Sequence, residues 1–488
     1  MIKNWLPEFK VSSESDDELI QYFFKTKYID ELLKTSKWLI LGRKGTGKTA
    51  IYEYFKKTDF NEINQYNVIP LNFKDYPWPF HKMYKESMEG ELTAYQKSWL
   101  YIITVKVISQ IIALKEKNGI ELSKDLKTVK RYFDNIYGSP NPTLIEVIKG
   151  KLQRINKISF PSVDGPAEIS LNTGEISFEE LSRSNELKEK LRYTAFSLYN
   201  YLNKVLKQEI TSEKFLVIID QLDENWLTEE LDEHSKVLIN LIHACQYMNK
   251  EYSKNIKVAV MLRTDIYDTL RFNDKTKIYQ DSAIEVKWDA ESLDDMFFER
   301  IRKYKPADVT LDLALKTNSI FEVKTVRHGA SPFKHILRRS FYRPRDVIVF
   351  MNKIRSNYTT SKSGLYTSND IYSAERDYSI NIHGELLDEW INQKPLIEKY
   401  LGILQTIGVQ TFTYNEYSEK YLKHIADASK SIVDESLIFL FQNSIIGQKI
   451  NVNWEYYCTN PYIQIDFEKI FHVNTALKNR LNLTEGRS

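Results

Sequence analysis

The chain has 488 residues, and its 68 Lys and Arg against 66 Asp and Glu leave a net charge of +2. This near balance excludes an overall basic field for nucleic acid, although it leaves room for a local basic patch. The two cysteines, Cys245 and Cys458, lie far apart and fit neither a disulfide framework nor a zinc site. The chain opens without a signal sequence, and its most apolar stretch, residues 99–114, is interrupted by polar residues. We therefore expect a cytoplasmic protein that does not span a membrane, with that stretch as a buried helix.

The first strong pattern along the chain is a glycine-rich loop between a strand-like and a helix-like segment. An apolar run at residues 38–41 precedes the loop, and a helix-compatible run follows it. The loop and its first helical residues are Gly42, Arg43, Lys44, Gly45, Thr46, Gly47, Lys48, Thr49 and Ala50. In such a G-x4-G-K-T pattern the glycines let backbone N–H groups face a phosphate, the lysine reaches the β- and γ-phosphates, and the threonine binds Mg²⁺. The complete pattern predicts a nucleotide site and disfavours a chance Gly/Lys turn.

Short apolar runs predict a five-stranded parallel sheet, because parallel strands are buried on both faces. Besides residues 38–41, the predicted strands cover residues 67–73, 215–220, 256–262 and 283–288. Residues 91–203 are mostly helical and predict an insertion into the core. Within the insertion, residues 158–178 have the turn signals of a β-hairpin, which either serves a partner or caps a helix.

The strand at residues 215–220 ends in acidic residues, as expected where a sheet faces a nucleotide. Asp220 is predicted to bind Mg²⁺ or its water. Glu224 is predicted to orient and deprotonate the attacking water, with Asp223 as a rival for that role. Arg263 follows the next strand and either senses the γ-phosphate or forms an ordinary salt bridge. The chain lacks the N-K-x-D pattern that recognises guanine, so ATP is the predicted nucleotide.

A run dense in positive charge lies at residues 334–346, in the helical region that follows the sheet. Such a run suits either a nucleic-acid surface or a lid that closes over the triphosphate. Pro344 is placed to open a helix over residues 345–354, since proline is favoured at the first helical position. We favour the compact helical lid.

Beyond a linker at residues 356–368, helices and short strands follow in the order expected of a winged helix. Helices are predicted over residues 371–390, 394–406, 414–425 and 433–442, a short strand over 409–412, and a final helix from 467. In a DNA-binding winged helix, the later helix enters the major groove and carries Arg, Lys, Asn or Gln. Residues 433–442 are instead acidic and apolar, which favours packing against protein.

These motifs together resemble bacterial P-loop ATPases of the STAND class, the signal-transduction ATPases with numerous domains, especially compact members encoded in prokaryotic defence loci. The matching segments are GRKGTGKTA, IIDQLDE, VMLRTDIY, SFYRPRDVIVF and the closing winged-helix pattern. The resemblance covers most of the chain outside the insertion. It implies an α/β fold with a P-loop NTPase core at residues 1–300, a helical lid at 301–368 and a winged-helix-like domain at 369–488.

The resemblance also implies roles for individual residues. Lys48 and Thr49 would hold the phosphates and Mg²⁺, and Arg263 would be the sensor. Pro344 would lie against the adenine. His472, on a predicted amphipathic helix, resembles the histidine that touches the β-phosphate of bound ADP in related switches and locks them in the off state.

The predicted function is an ATP-driven conformational switch in which core, lid and winged helix close on ATP and Mg²⁺ and reopen on hydrolysis. We expect an effector or regulatory protein as the partner, allow for a homo-oligomer, and do not favour DNA. The alternative is a DNA-loading or DNA-remodelling ATPase resembling AAA+ replication initiators. A nucleotide-bound scaffold without hydrolysis is a third candidate, which the pair Asp220 and Glu224 disfavours.

Overall fold

The computed structural model of the protein forms two compact units. It describes residues 1–60, 63–74, 91–149, 158–162, 165–169, 199–222, 231–425 and 429–486. The unit that we call the sheet unit comprises Thr26–Gly42 and Ile51–Glu285. The C-terminal unit comprises Met1–Lys25, Arg43–Ala50 and Val286–Ser488. The predicted domain boundaries near residues 300 and 368 stay predictions.

The sheet unit contains a five-stranded parallel sheet. Its strands are β1 (Leu39–Gly42), β2 (Tyr66–Asn72), β5 (Lys214–Asp220), β6 (Ile256–Arg263) and β7 (Ala283–Glu285). Their order across the sheet is β2-β5-β6-β1-β7. Every residue of β1 is buried, as expected of a strand covered on both faces. The predicted five-stranded parallel sheet is confirmed, with β7 ending before the predicted limit at residue 288.

The register of the sheet sets where its strands end. Leu39 of β1 lies beside Val260 of β6, and Val260 lies beside Ile219 of β5. The carboxyl ends of β1, β5 and β6 therefore lie at one edge of the sheet, where ligands bind in open α/β sheets. Asp220 is the last residue of β5 and Gly42 the last of β1.

Helices complete the sheet unit. Those lying wholly or partly in it are α1 (Lys27–Lys34), α2 (Lys48–Lys57), α3 (Glu91–Lys117), α4 (Lys124–Tyr137), α5 (Leu144–Lys149), α6 (residues 199–209), α7 (Leu231–Glu251), α8 (Thr264–Thr269) and α9 (Lys275–Ser282). The Trp99 indole of α3 donates a hydrogen bond to the Val237 carbonyl of α7, at 3.0 Å. Both helices thus share one apolar core with the sheet.

Helix α3 contains the most apolar stretch of the chain. Among the described residues, Tyr95–Lys117 is the one helical segment long and apolar enough to cross a membrane. Most of its apolar window is buried inside the protein, which is the ordinary state of a core helix. The predicted buried helix over residues 99–114 is therefore confirmed.

The insertion contains a two-stranded hairpin. Strands β3 (Ile158–Ser162) and β4 (Gly165–Ile169) pair antiparallel, with Ser162 opposite Gly165. A connection of two residues is the length expected of a tight hairpin turn. The hairpin predicted from the sequence is present, and its remaining part, residues 170–178, lies outside the described residues.

The C-terminal unit is mostly helical. Its helices are α10 (Ala290–Tyr304), α11 (Pro332–Leu337), α12 (Pro344–Ser356), α13 (Ser368–Trp390), α14 (Ile397–Ile407), α15 (Tyr414–His424) and α16 (Lys430–Gln442). Capping boxes fix the starts of three of them, at Asp289, Thr367 and Thr413. The apolar faces of these helices form one core, which also takes up the N-terminal segment: the Phe9 ring lies 5.5 Å from that of Phe297.

Helix α12 corresponds to the predicted lid helix and begins at Pro344 as expected. The basic run before it is largely internal, since Arg343 is buried and Arg339 pairs with Glu375 at 3.3 Å. Lys334 and Arg338 are exposed. Because Arg339 and Arg343 are taken up by internal contacts, the run suits a structural lid better than a nucleic-acid surface.

A four-stranded antiparallel sheet lies near the C-terminus. Its strands are β8 (Thr411–Phe412), β9 (Ile446–Ile450), β10 (Asn453–Glu455) and β11 (Phe471–Val473), in the order β10-β9-β11-β8. Helix α14, strand β8, helices α15 and α16 and strand β9 follow one another in the order that the sequence predicts. The winged-helix domain itself stays a prediction.

The predicted final helix from residue 467 is wrong. His472 lies on β11, opposite Thr411 of β8 and Gly447 of β9. Phe471 and Val473 on either side of it are buried. Their alternation has the period of a strand, and β8 and β9 satisfy the backbone groups of the segment. Tertiary pairing therefore overrides the helical propensity of this short stretch.

Candidate functional site

The phosphate loop lies between β1 and α2, and its glycines adopt the conformation that the predicted site needs. Gly45 has φ +82° and Gly47 has φ +93°. Side chains rarely tolerate this left-handed region, so these two positions require glycine. A Cβ at Gly45 would also lie 3.2 Å from the Cβ of Arg345.

The carbonyl of Arg43 is the internal anchor of the loop. It accepts hydrogen bonds from Thr46 N at 3.3 Å, from Thr46 Oγ1 at 2.8 Å and from Lys48 Nζ at 3.1 Å. The Lys48 ammonium is therefore folded back over the loop, where a phosphate in the loop would meet it. Thr49 is the second residue of α2, so its hydroxyl lies at a helix N-terminus, as predicted.

Three consecutive carbonyls of the loop accept hydrogen bonds from residues elsewhere in the C-terminal unit, to which residues 43–50 also belong. Arg343 Nη1 donates to the Lys44 carbonyl at 3.2 Å, and the Arg345 backbone N–H donates to Gly45 at 3.4 Å. The Trp288 indole N–H donates to the Thr46 carbonyl at 2.9 Å.

Arg43 makes a fourth connection, this time from the loop outward. Its Nη2 donates to the main-chain carbonyl of Gln442, the last residue of α16. Its guanidinium also lies over the Tyr457 ring, 5.4 Å from the ring centroid. Cations are favoured at a helix C-terminus and over an aromatic face, so both contacts are attractive.

Arg343 is the charged centre of these contacts. Its Nε bonds both carboxylate oxygens of Asp346, at 3.0 and 3.2 Å, and its Nη1 lies 3.3 Å from Glu389 Oε2. Burial alone would lower the pKa of Arg343, but the two carboxylates outweigh burial and raise that pKa above its ordinary value. The guanidinium is thus permanently charged and held in one orientation.

The strand ends of the sheet unit carry the other predicted site residues. Asp220 is buried at the end of β5. Burial, and then the nearby Asp220 carboxylate, raise the pKa of Tyr52. Arg263 forms a two-point ion pair with Asp265, with distances of 3.1 and 2.7 Å. The ordinary salt bridge, one of the two alternatives that the sequence allowed for Arg263, is therefore present. A sensor role for Arg263 stays a prediction.

Asp223 and Glu224, the two candidates for the water-orienting carboxylate, lie outside the described residues. Pro344 is buried at the first position of α12, between the two arginines that contact the loop. A contact of Pro344 with adenine stays a prediction.

His472 has neighbours that fix its ring. It stacks on Trp454 with ring centroids 4.7 Å apart, and its Nδ1 lies 2.6 Å from the Tyr456 hydroxyl. Burial, with a smaller effect of Lys478, lowers the pKa of His472 to about 4. The imidazole is therefore neutral near pH 7. The predicted contact of His472 with the β-phosphate of ADP stays a prediction, now for a neutral ring.

Trp288, Arg343, Gln442 and Tyr457 are contact residues of the loop that the sequence did not single out. The signal available in the sequence was weak. Arg343 lies in the basic run at residues 334–346, whereas a single tryptophan after a strand has many ordinary structural uses.

The glycine-rich loop and the order of the parallel sheet give the chain the fold of a P-loop ATPase. A family model described as the FunZ-associated C-terminal helical domain matches residues 291–387. The 80.3 kDa protein attributed to transposon gamma-delta of Escherichia coli (strain K12) is 21% identical over 437 residues, which are 87% of this chain and 56% of that protein. The chain thus spans little more than half the length of that relative.

Solved structures with some likeness are the Aeropyrum pernix ORC2 protein in its ADPNP–ADP complexes and the ORC1 protein of the same organism in complex with DNA. The first has a TM-score of 0.40 and 11% identity, covering 98% of this chain and 93% of that chain. The second has a TM-score of 0.36 and 12% identity, with the same coverage. CDC6P from Pyrobaculum aerophilum has a TM-score of 0.30 and 11% identity, covering 98% of this chain and 94% of that chain.

Proposed function

We propose that the protein is an ATP-binding and ATP-hydrolysing conformational switch. The observation that carries this proposal is the set of contacts on the phosphate loop. Arg343 and Trp288 donate to its carbonyls, and Arg43 donates to the end of α16. Residues of the loop that we propose as the nucleotide site are therefore bonded to Trp288, to Arg343 and to the end of α16.

The residues of the loop suit a nucleoside triphosphate. Gly45 and Gly47 have the left-handed conformation that lets backbone N–H groups face an anion, and the Lys48 ammonium donates to the Arg43 carbonyl of the same loop. Thr49 and Asp220 are the residues that we propose for Mg²⁺, which would neutralise charge on the phosphates. Glu224 or Asp223 would orient the attacking water, and Arg263 would sense the γ-phosphate.

A switch needs a ligand that interacts differently with its two states. ATP and ADP differ by one phosphate, which Lys48 would contact in a loop of this pattern. Contacts of the loop with Arg343 and with Gln442 are the interactions through which that difference would reach the lid and α16. Pro344 at the adenine and His472 at the β-phosphate would add to the closed state.

The switch would act on an effector or regulatory protein. We propose membership of the STAND class and a role in prokaryotic antiviral defence, in a cytoplasmic protein. Helix α16 supports a protein partner over DNA. Across Lys430–Gln442 the basic residue is Lys430, whereas Asp434 and Glu435 are acidic. A DNA-loading or DNA-remodelling ATPase is the alternative, and this helix disfavours it.

The experiment combines a hydrolysis assay with limited proteolysis. The protein should hydrolyse ATP in the presence of Mg²⁺ and not after chelation with EDTA. Cleavage within residues 356–368 should differ between ADP and a slowly hydrolysed ATP analogue. Hydrolysis with one digestion pattern for both nucleotides would leave an ATPase but contradict the switch. A gel shift that shows tight, salt-resistant DNA binding would promote the alternative.

A further inference from the structure

We infer that Trp288 and Arg343 are positioning residues that hold the phosphate loop in its nucleotide-binding conformation. The inference rests on the proposed nucleotide binding and assigns part of that binding to two side chains far from the loop in sequence. Trp288 is 242 residues from Thr46, and Arg343 is 299 residues from Lys44. Neither residue belongs to the glycine-rich pattern.

The hydrogen bonds on the loop carbonyls fix the orientation of the peptide groups to which they belong. In a planar trans peptide the C=O and the following N–H point in opposite directions. The carbonyls of Lys44 and Thr46 are turned towards Arg343 and Trp288. The N–H group of Gly45 therefore points away from Arg343, and the N–H group of Gly47 points away from Trp288. Backbone N–H groups turned inward in a turn form an anion-binding nest, and Gly45 and Gly47 supply two such groups on either side of the Thr46 N–H, which is bonded to the Arg43 carbonyl.

The Arg345 backbone completes the row of donors. Its N–H donates to the Gly45 carbonyl, between the carbonyls held by Arg343 and Trp288. Arg345 is the second residue of α12, so this donor is one of the N–H groups that a helix leaves unbonded at its start. Three successive carbonyls of the loop, those of Lys44, Gly45 and Thr46, are thus each held by a hydrogen bond.

The two side chains are themselves held in place. Both carboxylate oxygens of Asp346 bond Nε of Arg343, which leaves Nη1 directed at the loop. The Trp288 ring packs against the apolar core of the C-terminal unit and lies 6.3 Å from the ring of Phe24. Neither donor can leave the loop without losing these contacts, so the loop is preorganised before any nucleotide arrives.

Trp288→Phe is the primary test, because phenylalanine keeps the apolar packing and removes the N–H donor. We expect ADP to bind about five- to tenfold more weakly by calorimetry, the effect of one lost hydrogen bond. Hydrogen exchange of the peptide that covers residues 43–50 should be faster both with and without ADP. Trp5→Phe, at another partly buried tryptophan on the same core, should change neither quantity.

Arg343→Lys is the second variant, since lysine keeps the charge opposite Asp346 and Glu389 but cannot reach the loop with a second nitrogen. It should weaken ADP binding in the same direction. A lower melting temperature with unchanged ADP affinity and unchanged exchange at residues 43–50 in both variants would show a merely structural role and overturn the inference.

Lys48→Ala separates failure of the inference from failure of the proposed function. If Lys48→Ala abolishes ADP binding and Trp288→Phe and Arg343→Lys leave it unchanged, the positioning role is wrong and the nucleotide site stands. If Lys48→Ala also leaves ADP binding unchanged, the proposed nucleotide site is itself wrong.

Discussion

Arg43, in the phosphate loop, donates a hydrogen bond to the main-chain carbonyl of Gln442 at the end of α16, 399 residues away in sequence. The same guanidinium lies over the ring of Tyr457. A residue of the predicted nucleotide loop is therefore an attachment point for the C-terminal helices. A phosphate bound in the loop would attract the Arg43 guanidinium and would therefore affect its contact with Gln442.

Lys48→Ala should abolish ATP binding, because a methyl group leaves the phosphate charge without its cation. Isothermal titration calorimetry with ATP and Mg²⁺ measures the effect directly. Lys56→Ala is the matched control, since Lys56 lies on the same helix and pairs with Glu53 near its end. Affinity for ATP that is unchanged in Lys48→Ala would reject the site.

Glu224→Gln should keep ATP bound and slow hydrolysis by at least about 100-fold, as expected when a general base is removed and the metal is retained. Single-turnover hydrolysis with excess enzyme separates this effect from ATP binding. Asp223→Asn is the paired variant with the neighbouring carboxylate. If Asp223→Asn stalls hydrolysis and Glu224→Gln does not, the two roles are exchanged.

The sequence predicts those parts of the fold that depend on local patterns. The loop from Gly42 to Thr49 and the apolar strand that ends at Asp220 are continuous stretches. Their residue types alone predict a phosphate-binding loop and a buried strand. The contacts of Trp288 with Thr46 and of Arg43 with Gln442 depend on tertiary packing and leave no local pattern. His472 shows the same limit, because β8 and β9 decide that its segment is a strand.

Arg343→Met should lower the stability of the C-terminal unit by about 3 kcal/mol or more, because Asp346 and Glu389 would be left buried without their cation. Denaturant unfolding followed by circular dichroism measures the shift in midpoint. Arg302→Met removes a half-exposed arginine that pairs with Glu299 on α10 and should shift the midpoint little. Equal shifts for the two variants would show that the buried ion pairs of Arg343 stabilise the protein no more than the surface pair of Arg302 does.

His472 should make the protein less stable as the pH falls. Its folded-state pKa is lowered from 6.5 to about 4, so between these values the unfolded chain binds more protons at this residue than the folded protein does. The contribution of the neutral ring is complete above pH 6.5 and is lost as the pH falls towards 4. Above that window we expect no effect of His472 on pH dependence.

The measurement compares denaturant midpoints at about pH 7.5 and about pH 4.5 in the parent and in His472→Gln, where the carboxylates that titrate are common to both proteins. The drop in stability between the two pH values should be smaller in His472→Gln. His424→Gln replaces an exposed histidine of α15 and should keep the parental drop. Identical drops in all three proteins would mean that His472 is not held neutral by the fold.

Arg43→Ala should loosen the end of α16, and this prediction follows from the contact with Gln442. The variant loses one hydrogen bond from a charged donor and the interaction with the Tyr457 ring, both on the protein surface. For a surface contact of this kind we take about 1 kcal/mol, which raises the population of the open state about fivefold. Hydrogen exchange of peptides that cover residues 430–446 should rise by that factor.

Lys44→Ala is the matched control. Lys44 is the next basic residue of the loop, and its contact with Arg343 uses the main-chain carbonyl, which alanine keeps. If exchange at residues 430–446 is the same in Arg43→Ala and Lys44→Ala, the phosphate loop does not hold the C-terminal helices, and any coupling between nucleotide and partner must run through Arg343 and the lid.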